Sequence, residues 1–266
     1  MLSVLCSGPY FDYSMFSDNG DVYKLLDLLL VSEDANIYEE GQRAVVLLLE
    51  VNPDLSPLLD WVVDRCYTGT DRQADGCFIA LASIFGTREY NCDHYTAIIN
   101  VTLMNCGCPR LHIHETALQL LQILDNRFFG TVLPLEHEDA LYGGKERSTL
   151  DVLLSTTYSR SQLYLSRQLA QLHPELTMPM FSEICSRLQT ARPAARQNLL
   201  QYLLPWLYNI ELVDASIPPH PGNYQYPYYQ SYEMARPGVK REGWGSSEAT
   251  EMVTNNLFYI TCRYNV

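Results

Sequence analysis

The sequence contains no apolar run long enough to cross a membrane. A bilayer requires about 20 consecutive apolar residues, whereas the run from Leu25 to Val31 is interrupted by Asp27. A secretory signal is not visible either, because the apolar stretch at residues 1–6 is too short for a signal core and lacks a basic flank. We therefore expect a cytoplasmic protein that does not insert into a membrane.

Cysteine is scarce, with 8 residues in 266, and its neighbours are mostly apolar, as in Cys77-Phe78-Ile79. Such surroundings are typical of reduced, buried thiols. The segment from Cys106 through Cys108 and His112 to His114 has the residue types of a zinc site. However, two histidines separated by two positions on a predicted helix point about 200° apart and cannot face one ion. We expect no bound metal and no disulfide.

The sequence also lacks catalytic motifs. Gly143-Gly144-Lys145 with Ser148 does not have the spacing of a nucleotide-binding loop, and no G-x-S-x-G elbow occurs. The carboxylate pairs Glu39-Glu40 and Glu138-Asp139 fall at predicted helix starts or in loops, where the helix dipole or solvation accounts for them. We therefore expect that the protein is not an enzyme, and we assign no catalytic residue, no cofactor and no metal ligand.

Basic residues are few, with 18 Lys and Arg against 31 Asp and Glu, a formal net charge of −13. The imbalance lies mainly in residues 1–132, which carry 18 acidic and 7 basic side chains, whereas residues 133–266 carry 13 and 11. A negative surface repels phosphates at long range, so nucleic acid is not an expected partner. The acidic half is instead predicted to attract a basic protein partner.

Patterns typical of strands are nearly absent, and apolar residues recur at helical spacing. Helix boundaries follow from proline, glycine and capping residues, with Asp21 and Ser56 as candidate N-caps and Pro205 as a predicted kink or end. After the helix that Asp21 opens, the predicted helices cover residues 39–51, 56–68, 70–85, 93–105, 110–129, 145–158, 161–173, 178–190, 193–208 and 246–263. The predicted fold class is all-α.

The predicted helices pair, and the pairs repeat. Ala44, Ala80 and Ala117 occupy the same place in the second helix of three successive pairs, about 37 residues apart. A small residue allows two helices to approach closely, and the positions one and four later are expected on the same buried face. A period of this length made of antiparallel helix pairs is typical of an α-solenoid of the HEAT or armadillo kind.

The predicted organisation has three parts. Residues 1–213 form the α-solenoid helix pairs, although the second half does not align with the 37-residue period. Residues 214–245 form a Pro/Tyr-rich loop with five tyrosines between positions 223 and 232. This loop is either packed on the solenoid or a partner-binding strip. Residues 246–266 supply a further solenoid helix, in which Met252, Val253, Leu257 and Phe258 are expected to face a missing neighbour.

Extended runs of this sequence resemble the Furry family of cell-morphogenesis proteins. The similar stretches are Glu39-Glu40-Gly41-Gln42-Arg43-Ala44 through Asp64-Arg65-Cys66-Tyr67, Ala117-Leu118-Gln119-Leu120-Leu121 to Phe129-Gly130, His173-Pro174-Glu175-Leu176-Thr177, Leu199 to Asn209, and Gly243-Trp244-Gly245 to Asn255-Asn256-Leu257-Phe258-Tyr259. Since Furry-like proteins are far longer, we expect this chain to be a central fragment or a truncated product.

The resemblance implies a HEAT/armadillo-type scaffold without enzymatic activity that supports NDR-type kinase signalling. It implies an NDR-type kinase and its Mob coactivator as partners, and action at the cell cortex and sites of polarised growth. The biology implied is cell morphogenesis, polarised growth and neuron projection development. The alternative that the repeats leave open is a HEAT-type transport adaptor or a phosphatase regulatory scaffold.

The all-α prediction can be checked in solution. We expect far-UV circular dichroism of the purified chain to show a helical spectrum with less than about a tenth strand, against the 20–25% strand of an average globular protein. A strand content above that limit would contradict both the helical periodicity and the solenoid interpretation.

Overall fold

A computed structural model describes residues 16, 20–53, 55–87, 95–128, 150–210 and 247–264. Within these residues the chain consists of helices joined by short connections and has no strand, and a short 3-10 helix covers Pro174–Leu176. The helices are α1 Asp21–Val31, α2 Ala35–Val51, α3 Ser56–Thr68, α4 Asp71–Thr87, α5 Tyr95–Cys106, α6 Leu111–Phe128, α7 Leu150–Leu172, α8 Thr177–Thr190, α9 Pro193–Leu207 and α10 Ser247–Tyr264. The all-α prediction is confirmed, and the predicted loop at residues 214–245 lies outside the described part.

Helix starts differ from the predictions where a cap was misassigned. Helix α2 begins at Ala35, four residues before the predicted start, because the Asp34 carboxylate accepts hydrogen bonds from the backbone N–H groups of Asn36 and Ile37. Asp21 and Ser56 are the first residues of their helices, and Gly20 and Leu55 occupy the N-cap positions. Asp21 is still favourably placed there, since the first turn carries the positive end of the helix dipole.

The structure bears on two predictions about the second half, of which one is wrong. The predicted break between residues 158 and 161 does not exist, because α7 is one continuous helix in which no glycine or proline interrupts the pattern. Pro205 lies buried inside α9, which continues to Leu207. The proline removes one N–H from the last turn, and Gln201, whose carbonyl loses that donor, lies at an exposed position open to water.

The first six helices form three pairs that stack as the repeat predicted. Helices α2, α4 and α6 pack side by side, and α3 packs on α5. The three small residues Ala44, Ala80 and Ala117 are all buried. The residues four positions later are buried as well, whereas Leu118, one position after Ala117, is partly exposed. The stacked row therefore has the solenoid-like geometry that the 37-residue period predicts.

The repeat changes after α6, because the following helices pack on the row instead of extending it. Helix α7 packs on α5, α8 packs on both α3 and α5, and α9 packs on α5, α7 and α8. Helix α5 is consequently enclosed on all sides, and every residue from Ala97 to Cys106 is buried. A helix that is apolar around its whole circumference is suited to such a central position.

Side chains from α7 and α9 form hydrogen bonds with several polar groups of the enclosed helix. The Gln162 amide donates to the carbonyls of Leu103 and Met104, at 2.8 and 3.2 Å. The Tyr202 hydroxyl donates to the Asn100 side-chain oxygen at 2.5 Å. A Cβ atom on Gly107 would lie 2.5 Å from the Gln162 side-chain oxygen, so only glycine leaves room for this amide.

A second polar cluster joins α1, α3 and α4. The carboxylate of Asp27 accepts two hydrogen bonds from Arg65, at 2.9 and 2.8 Å, and one from Gln73 at 3.0 Å. The Arg65 guanidinium also lies over the Trp61 ring, which stacks on Tyr23 with a centroid distance of 4.8 Å. The charge that interrupts the apolar run of α1 is therefore an anchor between helices.

The chain divides into two compact units, Met1–Leu207 and Tyr208–Val266. In the second unit α10 buries Val253 and Ile260, whereas Phe258 is 65% exposed. Of the residues expected to await a neighbour, Val253 is thus already covered and Phe258 is not. No helix among the described residues has both the length and the apolar character needed to span a membrane.

We predict that Gln162→Ala lowers the free energy of unfolding by about 2–4 kcal/mol, since it removes the donor from two buried carbonyls and leaves a small cavity. Urea unfolding measures the change. Gln171→Ala is the matched control, because Gln171 lies exposed on the same helix, and we expect it to change stability by less than about 0.5 kcal/mol. Equal effects of the two substitutions would contradict the role given to Gln162.

Candidate interaction surface

Arginines of the first unit bridge helices through the carboxylates of their neighbours. Arg187 of α8 contacts Glu183 and also reaches Asp64 of α3, with nitrogen–oxygen distances of 2.7 and 3.6 Å. Arg192 reaches Asp71 of α4 at 2.5 Å. These guanidinium groups are directed at partners within the fold, so their charge is largely neutralised there.

Arg110, just before α6, makes the same kind of bridge to α4. Its guanidinium lies 2.6 Å from the Asp75 carboxylate. Burial raises the pKa of Asp75, and the hydrogen bond from Arg110 opposes that rise. The arrangement ties the start of α6 to α4 and adds to the internal pairing of basic charge.

Several carboxylates of the acidic half remain exposed. Glu33, Asp60 and Glu115 are exposed and form no ion pair within the described part of the chain. Because Arg65, Arg110, Arg187 and Arg192 are paired with other carboxylates, these three add unbalanced negative charge to the surface. The placement of these side chains thus adds to the excess of negative charge that the composition of residues 1–132 already shows.

A shallow groove runs between α2 and α4 on the stacked row. We call it the α2–α4 groove, and its lining residues are Glu39, Gln42, Arg43, Val46 and Leu47 from α2, and Ile79, Ala80 and Ser83 from α4. Leu47, the last of the lining residues from α2, is 42% exposed. The exposed leucine and the apolar side chains beside it form an apolar patch, which is a feature typical of protein–protein contact sites.

The charged end of the groove is organised around Arg43. Its guanidinium lies 2.6 Å from Glu40 and 3.8 Å from Glu39, and all three side chains are more than half exposed. Pairs this exposed contribute little to stability and exchange partners easily. Glu39 lines the groove, and Glu40 lies next to it outside the lining, so two exposed carboxylates accompany the single cation at this end.

The structure gives the segment from Cys106 to His114 a structural role. The His114 ring nitrogen Nδ1 donates to the carbonyl of Cys106 at 2.7 Å, which satisfies an acceptor at the end of α5. His112, two positions earlier, is exposed, and both cysteines are buried. Among the described residues no group of three or more His, Cys, Asp or Glu side chains is placed to hold a metal ion.

The described cysteines form no disulfide, and all of them except Cys262 are buried. Burial raises the pKa of Cys66, Cys77 and Cys106, and it raises the pKa of Cys185 to about 12. A thiol with so high a pKa is protonated at neutral pH, and the thiolate is the form that binds metals and attacks electrophiles. These cysteines therefore act as small core residues.

Other residues singled out in the sequence lie outside the described part, namely Gly143-Gly144-Lys145 with Ser148, Glu138-Asp139 and the tyrosines at 223–232. Glu39-Glu40 lies inside α2 and not at its start, since the helix begins earlier. Sequence reasoning missed the roles of Asp27 and Gln162. The only signal for Asp27 was a lone charge in a leucine run, and nothing marked Gln162 among the glutamines.

Residues 38–217 match the family model of the cell morphogenesis central region, which is of the Mor2 and PAG1 type. The matched range begins within α2 and includes every described helix from α3 to α9. It therefore contains the stacked row except α1 and the first turn of α2, together with the enclosed helix α5 and the α2–α4 groove.

The structural role of the thiols predicts a specific dependence of stability on pH. An unfolded thiol has a pKa of about 8.5, whereas burial raises the pKa of Cys106 in the folded chain. As the pH rises past the pKa of the unfolded thiol, the unfolded chain binds fewer protons than the folded chain, so the free energy of unfolding falls. Cys106 alone should contribute up to about 1.4 kcal/mol of this loss between about pH 7.5 and about pH 9.5.

Between about pH 7.5 and about pH 9.5, the free energy of unfolding of Cys106→Ala should therefore fall by about 1.4 kcal/mol less than that of the native chain. Urea unfolding at each pH measures the change. Val101→Ala is the matched control, because it creates a cavity in the same buried helix and keeps every thiol. It should show the native pH dependence. If Cys106→Ala also shows it, the thiol ionises in the folded chain and the structural role is wrong.

Proposed function

The chain belongs to the family of the cell morphogenesis central region, of Furry and Mor2 type, and on this basis we propose that it is a non-enzymatic scaffold segment that supports NDR-type kinase signalling. Its role in cell morphogenesis follows from the family. The proposal adds a mode of action, in which the ordered helical surface holds an NDR-type kinase and its Mob coactivator at the cell cortex during polarised growth and neuron projection development.

The observation that carries the proposal is the distribution of charge. Arg110, Arg187 and Arg192 are paired with carboxylates of neighbouring helices, and the acidic half exposes unpaired carboxylates. Such a surface selects a basic partner and speeds its encounter. The buried thiols support a binding role and not a chemical one, because burial keeps them protonated.

The proposal predicts kinase binding that depends on salt and on a few exposed carboxylates. We expect the immobilised chain to capture an NDR-type kinase with its Mob coactivator, and capture to weaken as NaCl rises from about 50 mM to about 500 mM, because salt screens surface charge. The triple variant Glu33→Gln, Asp60→Asn and Glu115→Gln should weaken binding at low salt by about threefold to tenfold, at up to about 0.5 kcal/mol for each charge.

A control variant separates local charge from net charge. Gln171→Lys, Gln189→Lys and Gln197→Lys change three exposed positions of the second half and raise the net charge by the same amount as the neutralising variant. We expect them to weaken binding less. Absence of capture at any salt concentration would refute the kinase-binding role, and equal loss in both variants would show that the acidic half is not the docking region.

A further inference from the structure

We propose that the α2–α4 groove binds a basic amphipathic helix of a partner protein. The inference deepens the proposed function and rests on it for the identity of the partner, but not for the existence of the site. It specifies where on the acidic half the contact forms and what chemistry the bound segment carries.

The surface between α2 and α4 has a shape that suits a bound helix. Helices α2 and α4 are the second helices of two successive pairs and pack side by side, so the space between them is an elongated furrow. From Glu39 to Leu47 the furrow follows α2 for about 12 Å, or roughly two helical turns. A furrow of this length matches the apolar stripe of a short helix, which places anchors at i, i+3 or i+4, and i+7.

Apolar side chains form part of the groove lining. Val46, Leu47 and Ile79 lie along the furrow and are at least partly exposed. Leu47 is 42% exposed, so a bound helix would remove a large apolar side chain from water. Burial of apolar area is the main source of affinity in helix-in-groove recognition.

The charges beside the groove favour a basic helix as its occupant. The groove lining from α4 is uncharged, and Arg43 is the only basic residue of α2, where it is outnumbered by Glu39 and Glu40. A lysine or arginine of the bound helix can therefore displace Arg43 from these exposed carboxylates or share them with it. An acidic helix would instead meet two carboxylates at short range and the wider negative surface of the first half.

The test uses the full 266-residue chain and two fluorescent peptides of about 18 residues, a length at which helices form in water. One peptide carries leucine at helical spacing on a background of alanine and lysine, and the other has glutamate in place of every lysine. We expect fluorescence anisotropy to show binding of the lysine peptide and at least tenfold weaker binding of the glutamate peptide, in line with charge selection.

Variants of the chain locate the site. Leu47→Ser should weaken binding of the lysine peptide about fivefold through lost apolar contact. Leu204→Ser is the matched control, because Leu204 is 51% exposed on α9, and it should leave binding unchanged. Arg43→Gln should strengthen binding about twofold, since it frees two carboxylates from their present partner.

The outcomes distinguish this site from the proposed kinase scaffold. The inference is refuted if the lysine peptide does not bind, if the glutamate peptide binds equally well, or if Leu47→Ser and Leu204→Ser have the same effect. Peptide binding without kinase capture would establish the groove and refute the kinase as its partner. Kinase capture that Leu47→Ser leaves unchanged would keep the scaffold role and refute the groove as its docking site.

Discussion

Burial of helix α5 from Ala97 to Cys106 is the constraint on which the rest of the structure depends. A helix enclosed on every side cannot leave its polar groups to water, so the surrounding elements must supply partners for them. Gln162 of α7, Tyr202 of α9 and His114 of α6 each provide one. These contacts set the positions of α7 and α9 against the stacked pairs, which explains why the second half packs across the row and does not extend it.

Ion pairs between helices also determine the charge of the surface. Arginines at helix junctions, such as Arg65 and Arg187, are directed at carboxylates of neighbouring helices and hold the pairs in register. These ion pairs leave carboxylates such as Glu33 and Asp60 exposed without a basic partner in the described part of the chain. The pairing that stabilises the helix row therefore also leaves negative charge on the surface, and a basic partner is the one that we propose for it.

Sequence patterns predicted the helices well where a residue acts through the backbone of its own helix. The bounds of α3 agree with the prediction because Pro57 and Gly69 act locally. The break predicted in α7 was wrong because serine residues interrupt a helix only weakly, and packing outweighs their preference. The solenoid-like stacking was predictable because Ala44, Ala80 and Ala117 repeat at a nearly constant interval and small residues mark close approach of helices.

The α2–α4 groove and the pairing of charges could not be predicted in this way. Composition shows that residues 1–132 are acidic, but only the packing of distant helices decides that Arg187 meets Asp64 while Glu115 stays unpaired. Leu47 follows the same apolar pattern as its buried neighbour Leu48, and it is exposed because nothing within the described part of the chain covers that face of α2. Periodicity along a helix depends on local geometry, whereas exposure and ion pairing depend on contacts between residues far apart in sequence, which tertiary structure alone determines.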